Sequence, residues 1–331
     1  MPAGFFMPSI GEAFSVTSIR YLSTADVTSL IEPGAVLAAL AAGFKALSAG
    51  DVQAPPRPKV EIPQKGFALA MLAWMPGRHI ASKTVNVFEG NHAHHLPSHM
   101  GLISLFDRET GAPLAVMDAA IITGIRTAGG AVLSVDPLAR RDAKIATVVG
   151  GGVQAREHVR LLTTLLNITE IRVHARRHDI AAAIAALSPL AKVSHDLEAS
   201  VRASDVVCLA TSASTPVIDD AWIKPGTHVT SVGFAPPGSE VPSALIDRAR
   251  IVVETRNAFS PAPVGCAELA GRDASSAVEL GEVLAGTKPG RISDTEVTLY
   301  KSMGNAMEDM VVANLVYETA LAVGAGIELE R

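Results

Sequence analysis

"TVVGGGVQARE", residues 147–157, decides the fold. A β-branched run ends at three glycines, and a helical pattern follows. Residues 150–155 fit G-x-G-x-x-A through Gly150, Gly152 and Ala155. Between a strand and a helix, the first glycine permits the tight turn. The second lets the main chain approach a pyrophosphate, and the small third residue lets helix and strand pack closely. The helix N-terminus then offers unpaired N–H groups to the phosphates. Val153 and Gln154 open that helix and join the expected cofactor contacts. So do Thr211, after "DVVCLA", and Thr127, in "ITGIRTAGG".

Downstream, "KIATVVG", "EIRVHA", "DVVCLAT", "THVTSVG" and "RIVVE" read as strands. Helical stretches such as "QAREHVRLLTTLL" and "HDIAAAIAAL" alternate with them. That rhythm predicts a parallel sheet. Upstream, residues 57–118 hold short strand candidates, with "DRETG" as a hairpin turn, and predict a mostly antiparallel sheet. Residues 23–50 predict two short helices, with Ser23 and Asp26 as cap, Pro33 opening the second and Gly50 ending it. A helix is expected from about Ile121 to Leu138. A last long one, from near Ser302, is expected to return to the first domain.

Composition narrows the class. In 331 residues, 48% are hydrophobic, which suits a packed protein. The net charge of -5, with no long basic run, speaks against nucleic acid as a partner. Cys208 and Cys266 form no C-x-x-C pair, which suits a reducing, cytoplasmic compartment. The opening "MPAGFFMPSIGEAF" reads as a ragged arm rather than a signal peptide. No 18-residue stretch is free of charge and breakers, so no membrane span is expected.

The second strand speaks to the nucleotide. An acid that binds the ribose is expected about 20 residues after the glycines. "IRVHARRHD" offers Arg176 and Arg177 at the strand end instead. Two guanidinium groups suit a 2′-phosphate, so NADPH is expected over NADH. Asp179 is expected to cap the next helix. Three other cations stand on core-like elements, where charge is costly unless paired: Arg57 after "QAPP", Lys83 in "IASKTVNVF" and Arg126 in "IITGIRTAGG". Together they could line a carboxylate pocket. His92, His94, His95 and His99 lack the spacing and partners of a metal site. They read as loop or pocket lining, with Asn91 fixing a turn, and no metal is expected.

Beyond these readings, the chain resembles the ornithine cyclodeaminase and mu-crystallin family. The resemblance rests on "PPR" at 55–57, "SKTVNVFEGN" at 82–91, "LPSHMGLISLFDRETGAPLAVMDA" at 96–119 and "ITGIRTAGG" at 122–130. "VVGGGVQAREH" at 148–158, "VGFAPPGSEVP" at 232–242 and "EVTLYKSMGNAMEDM" at 296–310 extend it. It implies an α/β fold: a Rossmann dinucleotide-binding domain at 123–299 and an α+β substrate-binding and dimerisation domain from 1–122 with 300–331. It implies a homodimer, and it places substrate and catalytic contacts on Arg57, Lys83 and Arg126. Ornithine cyclodeaminases carry an Asp where this chain has Phe234. A phenyl ring accepts no proton but packs against a flat apolar ring. The usual Gly before Leu-Pro is His95 here, which is expected to face the substrate.

The reaction so implied is NAD(P)H-dependent reduction of a cyclic imino acid, Δ1-pyrroline-2-carboxylate or Δ1-piperideine-2-carboxylate, to L-proline or L-pipecolate. An open-chain imino or oxo acid reductase, of the alanine dehydrogenase or iminosuccinate reductase kind, is the first alternative. An ornithine cyclodeaminase is the second; it needs an acid that only Glu240 approaches, and Glu240 reads as a loop brace. A non-catalytic crystallin-like binding protein is the third.

Overall fold

The computed structural model describes residues 18–165 and 167–330. The expected N-terminal arm lies outside the described residues. The chain begins with β1 (Ser18–Leu22), α1 (Thr24–Leu30), α2 (Pro33–Ala49), β2 (Lys59–Ile62), β3 (Gly66–Ala73), β4 (Ile80–Val87), β5 (His99–Phe106) and β6 (Pro113–Asp118). Helix α3 (Ala119–Leu138) leads into β7 (Ile145–Val149), α4 (Val153–Leu162), β8 (Glu170–His174), α5 (His178–Ala185), β9 (Ala191–Val193), α6 (Leu197–Ala203) and β10 (Val206–Leu209). Then come β11 (His228–Ser231), α7 (Ser243–Arg248), β12 (Arg250–Val253), β13 (Val278–Glu279), α8 (Leu280–Leu284), β14 (Thr298–Lys301), α9 (Ala306–Val323) and β15 (Ile327–Glu330).

The expected caps form. The Ser23 hydroxyl accepts from the Asp26 N–H, the Asp26 carboxylate reaches back to the Ser23 N–H, and Pro33 opens α2. Gly50 closes α2 in the left-handed region, which costs a residue without a Cβ little. Asp107 accepts from the N–H groups of Glu109 and Thr110 and so shapes the "DRETG" turn. Asp118 caps α3, which starts two residues before the expected Ile121.

Two sheets result. The first runs β15-β1-β6-β5-β4-β3-β2 and is antiparallel except between β1 and β6. Its inner face presents Met71, Lys83, Ile103 and Met117 in one row of paired residues. Helices α3 and α9 cover that face, with α2 packed behind them and α1 against β6. Its outer face leaves Leu72, Met100 and Leu102 exposed.

The second sheet runs β13-β12-β14-β11-β10-β7-β8-β9, all parallel. The chain reverses its direction across the sheet between β7 and β10. At such a switch point a crevice opens beyond the carboxyl ends of the strands. One hydrophobic core joins α2, α3 and α9 to a face of this sheet, and a second core fills its other side.

Five strands were not expected: β1, β9, β13, β14 and β15. The sequence shows the long helix starting near Ser302, but α9 begins at Ala306, after β14 has paired with both β11 and β12. Both faces of β14 are buried, so its run has no alternation to read.

Candidate active site

Gly150 follows β7, and its own backbone shape requires glycine. At φ +150° a methyl group there would lie 2.3 Å from the Ala210 carbonyl oxygen at the end of β10. Gly152 is the N-cap residue of α4, and a methyl group on it would meet open space. The helix N-terminus is therefore accessible to an anion. Ala155 is fully buried beneath the turn, whereas Val153 is exposed at the first position of α4. This arrangement fits a dinucleotide pyrophosphate. The Gln154 amide nitrogen is 3.4 Å from the Thr123 carbonyl, so α3 packs directly beside the loop. Thr127, almost buried, lies one turn along α3.

The same helix carries Arg126 into the substrate side. Lys83 Nζ donates to Asp309 Oδ1 at 2.9 Å. Arg126 Nε donates to the same oxygen at 3.1 Å, and its Nη1 donates to Glu308 Oε2 at 3.1 Å. All four side chains are buried. Gly304, at φ +75°, lies over the guanidinium; a methyl group there would come within 2.5 Å of Arg126 Nη1. Glu254, at the end of β12, accepts from the Gly304 N–H at 2.9 Å and from the Ser302 hydroxyl.

Arg57 enters from the 52–58 loop. Its Nε donates to the Pro263 carbonyl at 2.8 Å and its Nη1 to the Met303 carbonyl at 3.0 Å. The guanidinium is thus fixed by main-chain oxygens rather than by a carboxylate. Its carbon stands 5.9 Å from the centroid of the Phe234 ring, within cation–π range. Among the described residues, Nη2 of Arg57 and Nη2 of Arg126 make no protein hydrogen bond. Five N–H donors on each side chain thus leave capacity for a ligand carboxylate.

Electrostatics divide the cluster. Burial is the largest influence on Lys83 and brings its pKa down to about 8, while Asp309 opposes the fall. Burial also works against the Arg126 charge, but Asp309, Glu308 and Glu254 together hold its pKa above the ordinary value. Burial pulls Arg57 down, with Glu254 opposing. For Asp309, burial is outweighed by Arg126 and Lys83, and the acid stays below the ordinary range. Burial, followed by Glu254, pushes Glu308 well above it.

Sequence reading missed Glu254, Glu308 and Asp309. The signal was present in "GNAMEDM", where Asn305 and Glu308 form a capping box. A cap box usually marks an exposed helix start, whereas this one is buried.

Other expected residues are placed differently. Thr211 gives both its N–H and its hydroxyl to Glu240, at 2.8 and 2.7 Å. Glu240 also accepts from the Ser231 hydroxyl and the Gly233 N–H, so it braces the loop that carries Phe234. His95 is exposed and caps the short helical turn Glu89–His94 at φ +58°. That left-handed geometry accounts for a glycine preference there without any substrate contact. The Asn91 amide donates to the Pro97 carbonyl at 2.8 Å and closes the turn. Among the described residues, no three His, Cys, Asp or Glu side chains are placed to hold a metal ion.

At the adenosine end, Arg176 and Arg177 are exposed. The N-cap of α5 is Arg177, not Asp179, and Asp179 pairs with the Arg177 guanidinium from the first turn of the helix.

Solved structures of similar proteins bear on the nucleotide. A Δ1-pyrroline-2-carboxylate reductase of Thermococcus litoralis, in complex with NADH and L-proline, is 31% identical. It superposes with a TM-score of 0.87 over 94% of this chain and 100% of that one. An archaeal alanine dehydrogenase dimer with bound NAD is 31% identical, with a TM-score of 0.83 over 94% of this chain and 99% of that one. The iminosuccinate reductase of Paracoccus denitrificans, in complex with NAD+, is 25% identical, with a TM-score of 0.85 over 95% and 100%.

The expected preference for NADPH is corrected by these complexes, since all three hold NAD(H). Locally, Asp179 neutralises one of the two arginines on which the expectation rested, and its own negative charge would repel a 2′-phosphate. The sequence pattern of one family matches this chain from residue 18 to residue 324. This chain belongs to the ornithine cyclodeaminase/mu-crystallin family.

Proposed function

We propose that the protein is an NAD(H)-dependent oxidoreductase that reduces a cyclic imino acid. Δ1-Pyrroline-2-carboxylate is the leading substrate and Δ1-piperideine-2-carboxylate its homologue, giving L-proline or L-pipecolate. Bound NADH supplies the hydride, which adds to the imine carbon. Gly150, Gly152 and the first turn of α4 hold the pyrophosphate. Arg57, Arg126 and Lys83 hold the substrate carboxylate through the donors that Asp309, Glu308 and the carbonyls leave unused. An iminium protonated in solution enters with its proton already on nitrogen, so hydride addition alone completes the amine. The protein's part is positioning and exclusion of water.

The observation that carries the reading is Phe234 opposite Arg57. A substrate whose carboxylate reaches Arg57 lays its ring beside a phenyl face. A diamine would need an acid there, and Glu240, the acid closest to Phe234 in sequence, is occupied by four donors.

The antiparallel sheet is the substrate-binding and dimerisation half, and the parallel sheet is the nucleotide half. The exposed apolar residues on the outer face of the first sheet support a homodimer. Cys208 and Cys266 are buried free thiols, which fits a cytoplasmic enzyme. No single helix among the described residues is long and apolar enough to cross a membrane.

The test is NADH oxidation followed by absorbance with four substrates: the two cyclic imino acids, pyruvate with ammonia, and oxaloacetate with ammonia. Turnover of a cyclic imine, faster with NADH than with NADPH, is expected. Turnover confined to an open-chain acid with ammonia would replace this reading.

A further inference from the structure

We propose that Glu308 carries a proton in the working enzyme while its neighbour Asp309 is ionised, so that the buried cluster holds one net positive charge for one substrate carboxylate. The proposal rests on the carboxylate reading above for its purpose, but not for its geometry.

The count of charges comes first. Arg57, Lys83 and Arg126 face Glu254, Glu308 and Asp309. Were all six ionised, the cluster would be neutral before any ligand arrived. A ligand carboxylate would then add an uncompensated negative charge to a buried site, which is costly.

The hydrogen bonds show which acid is the exception. Asp309 Oδ1 receives two cations, Lys83 Nζ and Arg126 Nε. Glu308 Oε2 receives only one, Arg126 Nη1, together with the main-chain N–H of Asn305 at 2.6 Å. Glu308 Oε1 is buried and receives no donor, and the hydroxyl of the fully buried Tyr300 likewise has no partner. Both atoms lie beside Gly130, with no hydrogen bond between them. A methyl group on Gly130 would lie 2.9 Å from Tyr300 Oη and 3.2 Å from Glu308 Oε1.

A proton on Oε1 removes the cost of a buried charged oxygen that no donor reaches, and leaves Oε2 to accept from Arg126 and Asn305. Asp309 Oδ2 also lacks a donor, but two adjacent cations hold that carboxylate ionised. The groups facing Glu308 are Arg126 from α3, Lys83 from β4, Arg57 from the 52–58 loop, Tyr300 from β14, Glu254 from the end of β12 and Asp309 from its own helix. Burial, then Glu254, push its pKa up, Asp309 adds to them, and Arg126 opposes. Glu308 is thus a charge-setting residue that acts through Arg126, not a group that reaches the imine.

The test is infrared spectroscopy of the full-length protein without substrate at neutral pH, in H2O and D2O. A protonated-carboxyl band that shifts in D2O is expected in the wild type and is expected to be lost in Glu308→Gln. That amide copies the neutral acid and keeps the charge of the cluster, whereas Asp309→Asn should raise the imino-acid KM by a factor on the order of 100. If Glu308→Gln does not fold, Glu254→Gln serves instead, and the wild-type band should then disappear at a lower pH. Absence of the band in the wild type, its survival in Glu308→Gln, or an unmoved titration in Glu254→Gln would each overturn the assignment. Because the spectra need no substrate, a band without imine turnover would reject the proposed reaction and leave the proton on Glu308.

Discussion

The two ends of the cleft use the same chemistry in opposite surroundings. At the adenosine end, Arg177 and Asp179 form an ion pair on the surface, with side chains 72% and 63% exposed. At the substrate end, Arg126 and Asp309 form one with side chains 6% and 2% exposed. Water screens the first pair, so either partner can be lost with little consequence. The second pair has exchanged its hydration for each other, and each charge depends on the partner that remains. The difference explains why charged residues misled the reading of the nucleotide. An arginine on an exposed turn has many uses, whereas three cations on apolar elements need a reason to be there.

The strongest way to break the comparison is Asp309→Asn. It leaves Lys83 and Arg126 buried without their shared carboxylate, and should cost about 3–5 kcal/mol of stability. Urea unfolding measures that loss, and initial rates should show kcat/KM for the imino acid falling at least as steeply. A variant as stable and active as the wild type would mean that the cluster is not interdependent.

Next comes pH. Lys83, with its pKa lowered to about 8, is charged below that value and neutral above it. The KM for the imino acid should therefore rise as pH increases through about 8, while the KM for NADH stays level. Stability rises over the same range even as affinity falls. Between about 8 and the ordinary value of 10.5 the unfolded chain binds more protons than the folded one, so this group makes the protein more stable as pH rises. A KM and a stability that both rise over that window sharpen the assignment to Lys83; a flat KM would remove it.

A smaller effect is expected at Phe234. Removing its ring by Phe234→Ala should raise the KM for a cyclic imine by about two- to tenfold, the equivalent of roughly 0.5–1.5 kcal/mol for a ring contact. Turnover of an open-chain acid should change less, and steady-state kinetics on both substrates would show it. The smallest effect belongs to Asp179→Ala. Unfolding should not change measurably. The ratio of NADH to NADPH efficiency should drift toward NADPH as the repulsion of a 2′-phosphate is lifted; a ratio that stays fixed would mean that Asp179 has no part in nucleotide choice.

The legibility of the molecule follows the range of its interactions. Gly150, Gly152 and Ala155 could be read directly because strand, turn and helix are neighbours in sequence, and the turn geometry is local. The caps at Ser23, Pro33 and Gly50 could be read for the same reason. Strand β14 could not. It is buried on both faces, so polar residues do not alternate along it, and Tyr300 and Lys301 read as the approach to a helix. His95 was read as a pocket residue because a histidine in place of glycine suggests chemistry, whereas the backbone there only requires a left-handed cap.

By itself the sequence determined the nucleotide loop, the succession of an antiparallel and a parallel sheet, and the three cations that stand where charge is expensive. Each of these is written in local spacing or in a residue's own cost of burial. Only the tertiary structure decided what compensates those cations. Asp309 meets Lys83 across 226 residues of chain and Arg126 across 183. Such a meeting depends on how α9 packs over the first sheet and against α3, and no spacing within the segment "NAMEDM" encodes it. The structure also decided that Arg177 belongs to Asp179. An ion pair two residues apart forms or not according to the conformation of one turn, which composition leaves open.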